Sequence, residues 1–550
     1  MINKSLGFLL SILFLSLLNQ VHVSAHNYVP RNIDIERSPK NILIGSYVGG
    51  RSHLKPMLDI AAILTERGHN IILLASGSYE QSSEYPGLKQ ITLGPRLTVE
   101  DSKDGIENLD DFRIMAEFMK IRANIYNKIY EKYMNTAKEY NIDLFFCDGF
   151  ANEACLDVAN NLKIPVVGFT AFLLLIDPKP YKSDPFLGCN ISLENESFFE
   201  RFRCTLIQPL QVAFEFLSPR RQLIDARNQM NVKTDLERLP KLSLALIDTF
   251  FGFELPQTLP PNVQVIGPVM SEEYPPLTPE LSDFINSNKR ILYVAFGARL
   301  NTTTETNNKI LQSLVEVINK KLVDGIIWKL PEASMDNLSP TLNLADGTQI
   351  QTLPIVNNEH PQFLITKFTP QFAILNHTNT KLFFNHGGVG SVHEALYTGT
   401  PILTLPFGND QLGNAQKLKT AGVALSLDKH NLDVNDIVNK IDFLLKDEHV
   451  KKNSERMKFL ARINSKRKYR AADLVEYILY SNSLLDKSVN DNFLKEWVPA
   501  EYRMGFIKAN NLDIYGVLIG IILIFIGRIT FKLIRYTLTR SSVKIKSKKA

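Results

Sequence analysis

The stretch FTPQFAILNHTNTKLFFNHGGVGSVHEALYTGTPILTLPFGNDQ, residues 368–411, contains the parts of an α/β ligand site in chain order. Leu382–Asn385 and Ile402–Pro406 are short apolar runs, which are typical of strands buried on both faces of a parallel sheet. Between them, the glycines of His386-Gly387-Gly388 permit a tight turn, and a helix is predicted to begin near Gly390. The stretch therefore predicts an α/β fold with a site at the carboxyl edge of its sheet.

The chemistry of this stretch suits a nucleoside diphosphate-sugar. The free amides and positive dipole end of the predicted helix form an anion site that fits a diphosphate. His386 can add a hydrogen bond to phosphate and Ser391 a hydroxyl, while Glu394, one turn into the helix, can accept from ribose hydroxyls. Phe368 offers a face on which a base can stack, and Gln371 can read the polar edge of that base.

This interpretation depends on several motifs occurring together, because His-Gly-Gly alone more often marks a turn whose histidine is hydrogen-bonded within the protein. A Pro-Gln pair lies upstream, a glutamate follows in the helix, and Asp-Gln follows the next strand. The predicted donor-binding residues are Phe368, Gln371, His386, Gly388, Gly390, Ser391, Glu394, Asp410 and Gln411.

Strand and helix patterns alternate along the chain in two halves. The first half has predicted strands at Asn41–Ile44, Asn70–Ala75, Asp143–Cys147 and Pro165–Phe169, with helices over Leu54–Arg67 and Asn152–Asn161. The second half has further strands at Ile291–Phe296, Gly325–Lys329 and Phe363–Lys367. A proline-rich connection separates the halves and reads as an interdomain linker. We therefore expect two doubly wound, Rossmann-like domains with a cleft between them.

The expected organisation has seven parts. They are a signal peptide (1–25), an acceptor-binding domain (26–265), a linker (266–289), a donor-binding domain (290–450), helices packing across both domains (451–511), a transmembrane helix (512–531) and a basic cytosolic tail (532–550).

A histidine and an aspartate are candidates for a catalytic pair. His53 follows the first predicted strand, and Asp148 ends the Asp143–Cys147 strand, so both are expected at the same sheet edge. An imidazole has a suitable pKa to take a hydroxyl proton near neutrality, and a carboxylate can orient it. A lone loop histidine is more often structural, and we assign His69 such a role.

Both ends of the chain carry membrane signals. Lys4 precedes the apolar run Leu6–Leu18 and a small-residue cleavage site, the pattern of a secretory signal peptide. Ile514–Gly527 is an uncharged apolar run that must extend past Arg528 to span a bilayer. A buried core helix is the alternative to a spanning helix.

Charge favours the spanning helix. Eight Lys or Arg and no acid follow Gly527, which predicts a single-pass protein with a lumenal body and a cytosolic tail. The lysines near the terminus resemble a dilysine retrieval signal of endoplasmic reticulum membrane proteins. Because this tail supplies more than the whole net charge of +5, the body offers no basic patch for nucleic acid.

The four cysteines are too few for a disulfide scaffold. Cys147 and Cys155 lie in an apolar strand and the helix after it, and we expect them to be small buried hydrophobes. Cys189 and Cys204 flank a polar loop, and their pairing stays open. Glycosylation sequons occur at Asn190, Asn195, Asn301, Asn337 and Asn376.

Residues 290–430, and more thinly 40–170, resemble the UDP-glycosyltransferase family of glucuronosyl- and glucosyltransferases. The resemblance implies the GT-B fold, with a UDP-sugar co-substrate in the C-terminal domain, a hydroxyl acceptor in the N-terminal one and no cofactor. It implies uracil stacking at Phe368 and places the diphosphate at His386 and Ser391. The sugar hydroxyls would bind Asp410 and Gln411, and His53 with Asp148 would match the catalytic pair.

Three residues depart from the family pattern. Phe368 stands where Trp is usual, Gly390 where Asn is common and Ala298 where Ser or Thr is common. Gln411 is compatible with glucose and other hexoses. No His, Cys or carboxylate cluster has metal-ligand spacing, so we predict an inverting, metal-independent transfer. The departures also motivate an alternative, a catalytically silent lumenal protein that binds a UDP-sugar or lipid; a nucleotide-sugar epimerase is a further one.

The acceptor is the least specified part of the site. Two variable segments, Pro86–Ile106 and Tyr181–Gln222, are the expected sources of acceptor contacts. The second is rich in Phe and Leu, which indicates either a lipophilic acceptor or a membrane-facing surface. Oligomeric state stays open, a homo-oligomer included.

Overall fold

The computed structural model describes most of the 550-residue chain. The described residues are 38–47, 51–77, 85, 88–94, 111–150, 152–171, 197–232, 242–256, 259–297, 302–344, 346–408, 410–484, 497 and 504–547. The predicted signal peptide, Ala298, Cys189 and three of the sequons (Asn190, Asn195 and Asn301) lie outside these ranges.

A seven-stranded parallel sheet forms the first half of the body. Its strand order is β3-β2-β1-β4-β5-β6-β7, with every neighbouring pair parallel. The strands are β1 (Asn41–Ser46), β2 (Asn70–Ala75), β3 (Lys89–Thr92), β4 (Leu144–Asp148), β5 (Val166–Thr170), β6 (Leu244–Ile247) and β7 (Val263–Val265).

A six-stranded parallel sheet forms the second half, in the order β12-β9-β8-β13-β14-β15, and a small antiparallel pair, β10-β11, lies beside it. Its strands are β8 (Ile291–Ala295), β9 (Gly325–Lys329), β12 (Phe363–Thr366), β13 (Thr380–Asn385), β14 (Ile402–Thr404) and β15 (Ala424–Ser426). The antiparallel pair is β10 (Thr341–Asn343) and β11 (Gln349–Gln351).

Helices cover both faces of each sheet. In the first half they are α1 (Arg51–Glu66), α2 (Asp111–Glu139), α3 (Glu153–Leu162), α4 (Phe198–Phe202), a π-helical turn (Arg203–Ile207), α5 (Gln208–Glu215) and α6 (Leu217–Gln229). Then come α7 (Pro279–Ser287), α8 (Thr304–Asn319), α9 (Glu332–Met335), α10 (Leu353–Val356), α11 (Gln371–Leu375), α12 (Val389–Thr398) and α13 (Asp410–Thr420). A 3₁₀ turn (Lys429–Asn431), α14 (Val434–Lys446), α15 (Glu448–Ser465), α16 (Arg467–Leu484), α17 (Phe506–Ala509) and α18 (Leu512–Ser547) complete the chain.

The strands are buried on both sides, which explains their apolar sequences. Every residue of β4, β5 and β8 is buried, and separate apolar clusters lie on the two faces of each sheet. Buried apolar area stabilises a fold by about 25 cal/mol per Å², so these layers hold the two sheets and orient their carboxyl edges.

The sequence located the central strands within two residues but missed several elements. The sequence does not predict four of the elements, which are the strands β3, β6 and β7 and the long helix α2. The three strands are short, and α2 is not bounded by a clear helix-breaking residue. The predicted linker, 266–289, contains α7, which Thr278 caps by accepting from the Leu281 N–H.

The last helices divide between the two halves. Met457 and Ala461 of α15 join a core cluster of the second sheet, whereas Ala471 and Val475 of α16 join one of the first sheet. Helix α18 contains a 27-residue candidate membrane span, Leu512–Leu538, whose most apolar part is not buried. It is long and apolar enough to cross a membrane.

One expectation about the cysteines is wrong. Cys147 and Cys155 are buried, as predicted, but they form a disulfide rather than packing as free thiols. Helix α3 folds back onto β4, so a separation of eight residues brings the two sulfurs together on one face of the sheet. Cys204 is also disulfide-bonded, while Cys189, whose pairing with Cys204 the sequence leaves open, lies outside the described residues.

Replacing Cys147 and Cys155 together by alanine should lower the free energy of unfolding by about 2–3 kcal/mol, because a short covalent loop no longer restrains the unfolded chain. Urea unfolding of the double variant against the wild type measures this loss. An unchanged midpoint, with the disulfide shown to be present in the wild type, would contradict the prediction.

Candidate active site

His53 and Asp148 meet at the carboxyl edge of the first sheet. Asp148 is the last residue of β4 and is only 1% exposed, and its Oδ2 lies 3.3 Å from Nδ1 of His53. Its carboxylate is held by the Ser46 hydroxyl, 2.9 Å away, and the Phe150 N–H, 3.0 Å away. The sequence had placed His53 in a loop, but α1 begins at Arg51, so His53 lies in the first helical turn.

This geometry suits general-base chemistry. A carboxylate bound at Nδ1 fixes the imidazole tautomer and stabilises the protonated ring, which leaves Nε2 to accept a proton. The ring remains partly exposed, at 29% of its side chain, and packs against Phe150 with 5.5 Å between ring centroids. His53 is therefore both restrained and accessible to a substrate hydroxyl.

Asp410, from the second half of the body, lies close enough to His53 to interact with it electrostatically. It begins α13, and burial raises the pKa of its carboxyl while the charge of His53 opposes that rise. The Asn414 amide donates to its Oδ2 at 2.9 Å and to the Gly387 carbonyl at 3.0 Å. A residue from each half thus shares one electrostatic environment, as a two-domain cleft requires.

The His-Gly-Gly turn has the backbone geometry that the predicted anion site needs. Gly388 caps α12 without a side-chain hydrogen bond, so the helix begins with its backbone amides available to a ligand. Gly387 has a φ of +85°, a conformation that favours glycine. A Cβ on Gly388 would lie 2.5 Å from Nε2 of His386, so the histidine ring requires this glycine.

His386 is neutral at physiological pH. Burial and the nearby Lys329 ammonium lower the pKa of its imidazole to about 4. Its Nδ1 is buried without a hydrogen-bond partner within the described part of the chain. A buried polar atom without a partner is costly, and a bound phosphate oxygen would satisfy it.

Gln371, Ser391 and Glu394 form one network beside this turn. The Gln371 amide donates to the Ser391 hydroxyl at 3.0 Å and to the Glu394 carboxylate at 2.8 Å. Tyr293 donates to the Gln371 carbonyl at 3.4 Å. The structure therefore brings the predicted base-reading and ribose-binding residues together.

Phe368 and Gln411 are the residues predicted to contact the base and the sugar of the donor. Phe368, before α11, is 68% exposed, so one ring face is accessible for stacking. Gln411 accepts the Phe407 N–H at 2.8 Å through its Oε1, which orients its side-chain amide. Gly390 faces open space, since a Cβ there would meet no atom within 4 Å. The described residues contain no group of three possible metal ligands.

Sequence reasoning missed Lys329 and Tyr274. Lys329 ends β9, next to β8 in the sheet and two strands from the Asn385 end of β13. It had been included in a strand, although a lysine that ends a buried strand at the ligand edge was a usable signal. Tyr274, in the connecting segment, stacks on Phe372 with 3.8 Å between ring centroids.

Buried polar contacts hold the two halves together near the cleft. Lys417 of α13 forms a 2.6 Å ion pair with Glu254, and both side chains are almost fully buried. His393 of α12 lies 3.7 Å from Asp248, which follows β6. Burial lowers the pKa of His393 to about 3, so its contact with Asp248 is not an ion pair. Removing one member of a buried ion pair typically costs about 3–5 kcal/mol, so Lys417–Glu254 restrains the relative position of the sheets.

The fold is that of a GT-B glycosyltransferase. The glycotransferase of kitacinnamycin matches 80% of this chain and 99% of its own, with a TM-score of 0.58 and 17% identity. A UDP-glucosyltransferase from Polygonum tinctorium matches 81% of this chain and 99% of its own, with a TM-score of 0.54 and 18% identity. At these identities the likeness concerns the fold alone.

Sequence comparison gives the family. The model described as UDP-glucoronosyl and UDP-glucosyl transferase matches residues 49–549. A UDP-glycosyltransferase of Talaromyces amestolkiae is 28% identical over 90% of this chain and 98% of its own. UDP-glycosyltransferase 1 of Phaeomoniella chlamydospora is 34% identical over 68% of this chain and 77% of its own. The chain belongs to the UDP-glycosyltransferase family and is a glycosyltransferase enzyme.

Proposed function

We propose that the protein transfers a hexose, with glucose favoured, from a UDP-sugar to a hydroxyl of a small lipophilic acceptor with inversion at the anomeric carbon. The observation that carries the proposal is the 3.3 Å contact between His53 Nδ1 and the buried Asp148 carboxylate. His53 takes the acceptor proton as the oxygen attacks, Asp148 stabilises the imidazolium, and UDP leaves with the electrons of the broken C–O bond.

The donor lies along the second sheet edge. Phe368 stacks on the uracil, Gln371 reads its edge and Glu394 binds the ribose. The diphosphate lies against the first amides of α12, with His386 and Ser391 as side-chain contacts. Asp410 and Gln411 bind the hexose hydroxyls, which places the anomeric carbon near His53.

The predicted anchor and compartment complete the proposal. Helix α18 spans the membrane once, with the catalytic body in the endoplasmic reticulum lumen and the basic tail in the cytosol. The 27-residue apolar length of α18 and the basic residues that follow Gly527 support this arrangement.

Product analysis with the full chain tests the reaction. Incubation with each α-linked UDP-hexose and a panel of lipophilic alcohols and phenols should release UDP and give a β-linked glycoside. An α-linked glycoside would contradict inversion. UDP binding without turnover on any acceptor would favour the silent binding protein, which the smaller stacking face of Phe368 and the missing side chain at Gly390 motivate.

Lys329 is a further diphosphate contact in this proposal. Its ammonium lies close enough to His386 to lower the histidine pKa, and desolvation lowers the pKa of Lys329 itself. Within the described part of the chain, the Lys329 ammonium has no hydrogen-bond or ion-pair partner. A partly buried cation at a phosphate site is stabilised when an anion binds.

Lys329→Met should therefore weaken UDP binding by about 1.5–3 kcal/mol, roughly tenfold to a hundredfold, as expected for a lost charged hydrogen bond. Uridine, which has no phosphate, should bind equally to both proteins. Calorimetric titration with UDP and uridine separates the two effects. Lys367→Met, which removes an exposed lysine paired with Glu332, is the control; equal losses for uridine and UDP would contradict the assignment.

A further inference from the structure

An apolar helical projection extends from the first half of the body. It comprises α4, the π-helical turn, α5 and the start of α6, and neither α4 nor α5 contains a buried residue. Phe199 and Phe214 are 79% and 74% exposed. The large apolar side chains exposed on this Phe198–Leu217 surface are Phe198, Phe199, Phe202, Leu206, Ile207, Leu210, Phe214 and Leu217.

Such a surface requires an apolar partner. Single exposed hydrophobic residues are ordinary, but a contiguous set of this size marks contact with a protein or a membrane. Phe443 is such a single exposed hydrophobic residue, since its neighbours on α14 include the charged Lys440 and Lys446. None of the residues of the catalytic pair or of the predicted donor site lies on the Phe198–Leu217 surface.

The charges around the surface match a lipid headgroup layer. Arg201 and Arg203 lie near one end of the apolar residues and Arg220 and Arg221 beyond the other, and all four are exposed. Two exposed acids, Glu200 and Glu215, lie within the same surface, so cations outnumber acids by four to two. Helices that lie in a membrane interface combine aromatic and aliphatic residues with flanking cations in this way. In a symmetric dimer the same four arginines would be repeated in the partner's copy of the surface, which disfavours a second copy of this chain as the occupant.

The short connection between Trp497 and α18 also keeps the body close to the bilayer. Trp497 is held to the first half by a 3.2 Å hydrogen bond from the Asn262 N–H to its carbonyl and by a 3.2 Å bond to the Tyr477 hydroxyl. Helix α18 begins 15 residues later, at Leu512. Fifteen extended residues span at most about 50 Å, so the body stays at a high effective concentration near the membrane.

We propose that the Phe198–Leu217 surface inserts into the interface of the membrane that α18 spans. The proposal rests on the membrane anchor proposed above. Two attachments, one through α18 and one through this surface, fix the orientation of the body on the bilayer. They hold the half of the body that carries His53 against the lipid, where lipophilic acceptors accumulate.

Fluorescence of the full chain in nanodiscs containing phosphatidylcholine and phosphatidylserine tests the proposal. An environment-sensitive fluorophore is attached at Phe199→Cys or Phe214→Cys, with Phe443→Cys as the matched control. No free cysteine competes for the label among the described residues. We expect blue-shifted emission at 199 and 214, with loss of intensity when brominated lipids are used, and neither effect at 443.

Each other outcome overturns the proposal. Emission at 199 and 214 equal to that at 443 would show a water-exposed surface. A blue shift without quenching by brominated lipid would show burial against protein instead. A chain that does not enter nanodiscs would refute the anchor itself, whereas a UDP-induced rise in melting temperature of the same sample reports separately on the donor site.

Discussion

His53→Ala should lower kcat by about 10²–10⁴-fold, the usual contribution of a general base, while UDP affinity stays unchanged. We expect an effect on kcat without one on UDP affinity, because His53 lies at the edge of the first sheet and the predicted uridine and diphosphate contacts lie at the edge of the second. Steady-state kinetics with a saturating UDP-sugar and calorimetry with UDP measure the two quantities.

The partner variant sharpens this test. Asp148→Asn keeps the shape of the side chain but removes the charge that stabilises the imidazolium, so its kcat should also fall and its pH–rate profile should change. His430→Ala, in the surface 3₁₀ turn Lys429–Asn431, should behave as wild type. Full turnover by His53→Ala would remove the histidine from the chemistry.

Gly388→Ala should weaken UDP binding by about 1–3 kcal/mol, up to roughly a hundredfold, through the loss of one hydrogen bond. The new Cβ would lie 2.5 Å from Nε2 of His386, closer than side-chain contacts allow, so the imidazole must leave its position. The His386 ring also packs closely against Gly297, since a Cβ built on Gly297 would lie 3.2 Å from the ring. The ring therefore has little room to move away.

Gly390→Ala, two residues along, is the matched control. Its Cβ meets no atom within 4 Å, and alanine keeps the backbone N–H that the anion site uses. UDP affinities of the two variants should therefore differ by roughly fivefold to a hundredfold, the range that about 1–3 kcal/mol corresponds to. Equal affinities would show that the His386 ring position does not matter for the diphosphate.

The sequence predicted the fold because the fold depends on local patterns, and the same patterns nominate the residues of the candidate site. Apolar runs such as Ile291–Phe296 mark strands buried on both faces, and His386-Gly387-Gly388 marks a strand-to-helix turn. The rule that parallel strands present ligands at their carboxyl ends then places Asp148 beside His53. Their 3.3 Å contact agrees with that placement.

What the sequence did not show depends on how the elements pack against one another. The Cys147–Cys155 disulfide depends on how α3 packs on β4, and the proposed role of Lys329 depends on strand order, which places β9 next to β8. The stacking of Tyr274 on Phe372 joins residues almost 100 positions apart. Periodicity and spacing report local structure and carry no signal for such pairs.

The most direct test of the central claim is the melting temperature of the full chain in nanodiscs with UDP, ADP, GDP and a panel of UDP-sugars. A ligand at 100 times its dissociation constant stabilises a protein by about 2.7 kcal/mol. The account predicts a rise with UDP and a larger one with a single UDP-hexose, and none with ADP or GDP. No rise with any uridine nucleotide, in a protein shown to be folded, would contradict it.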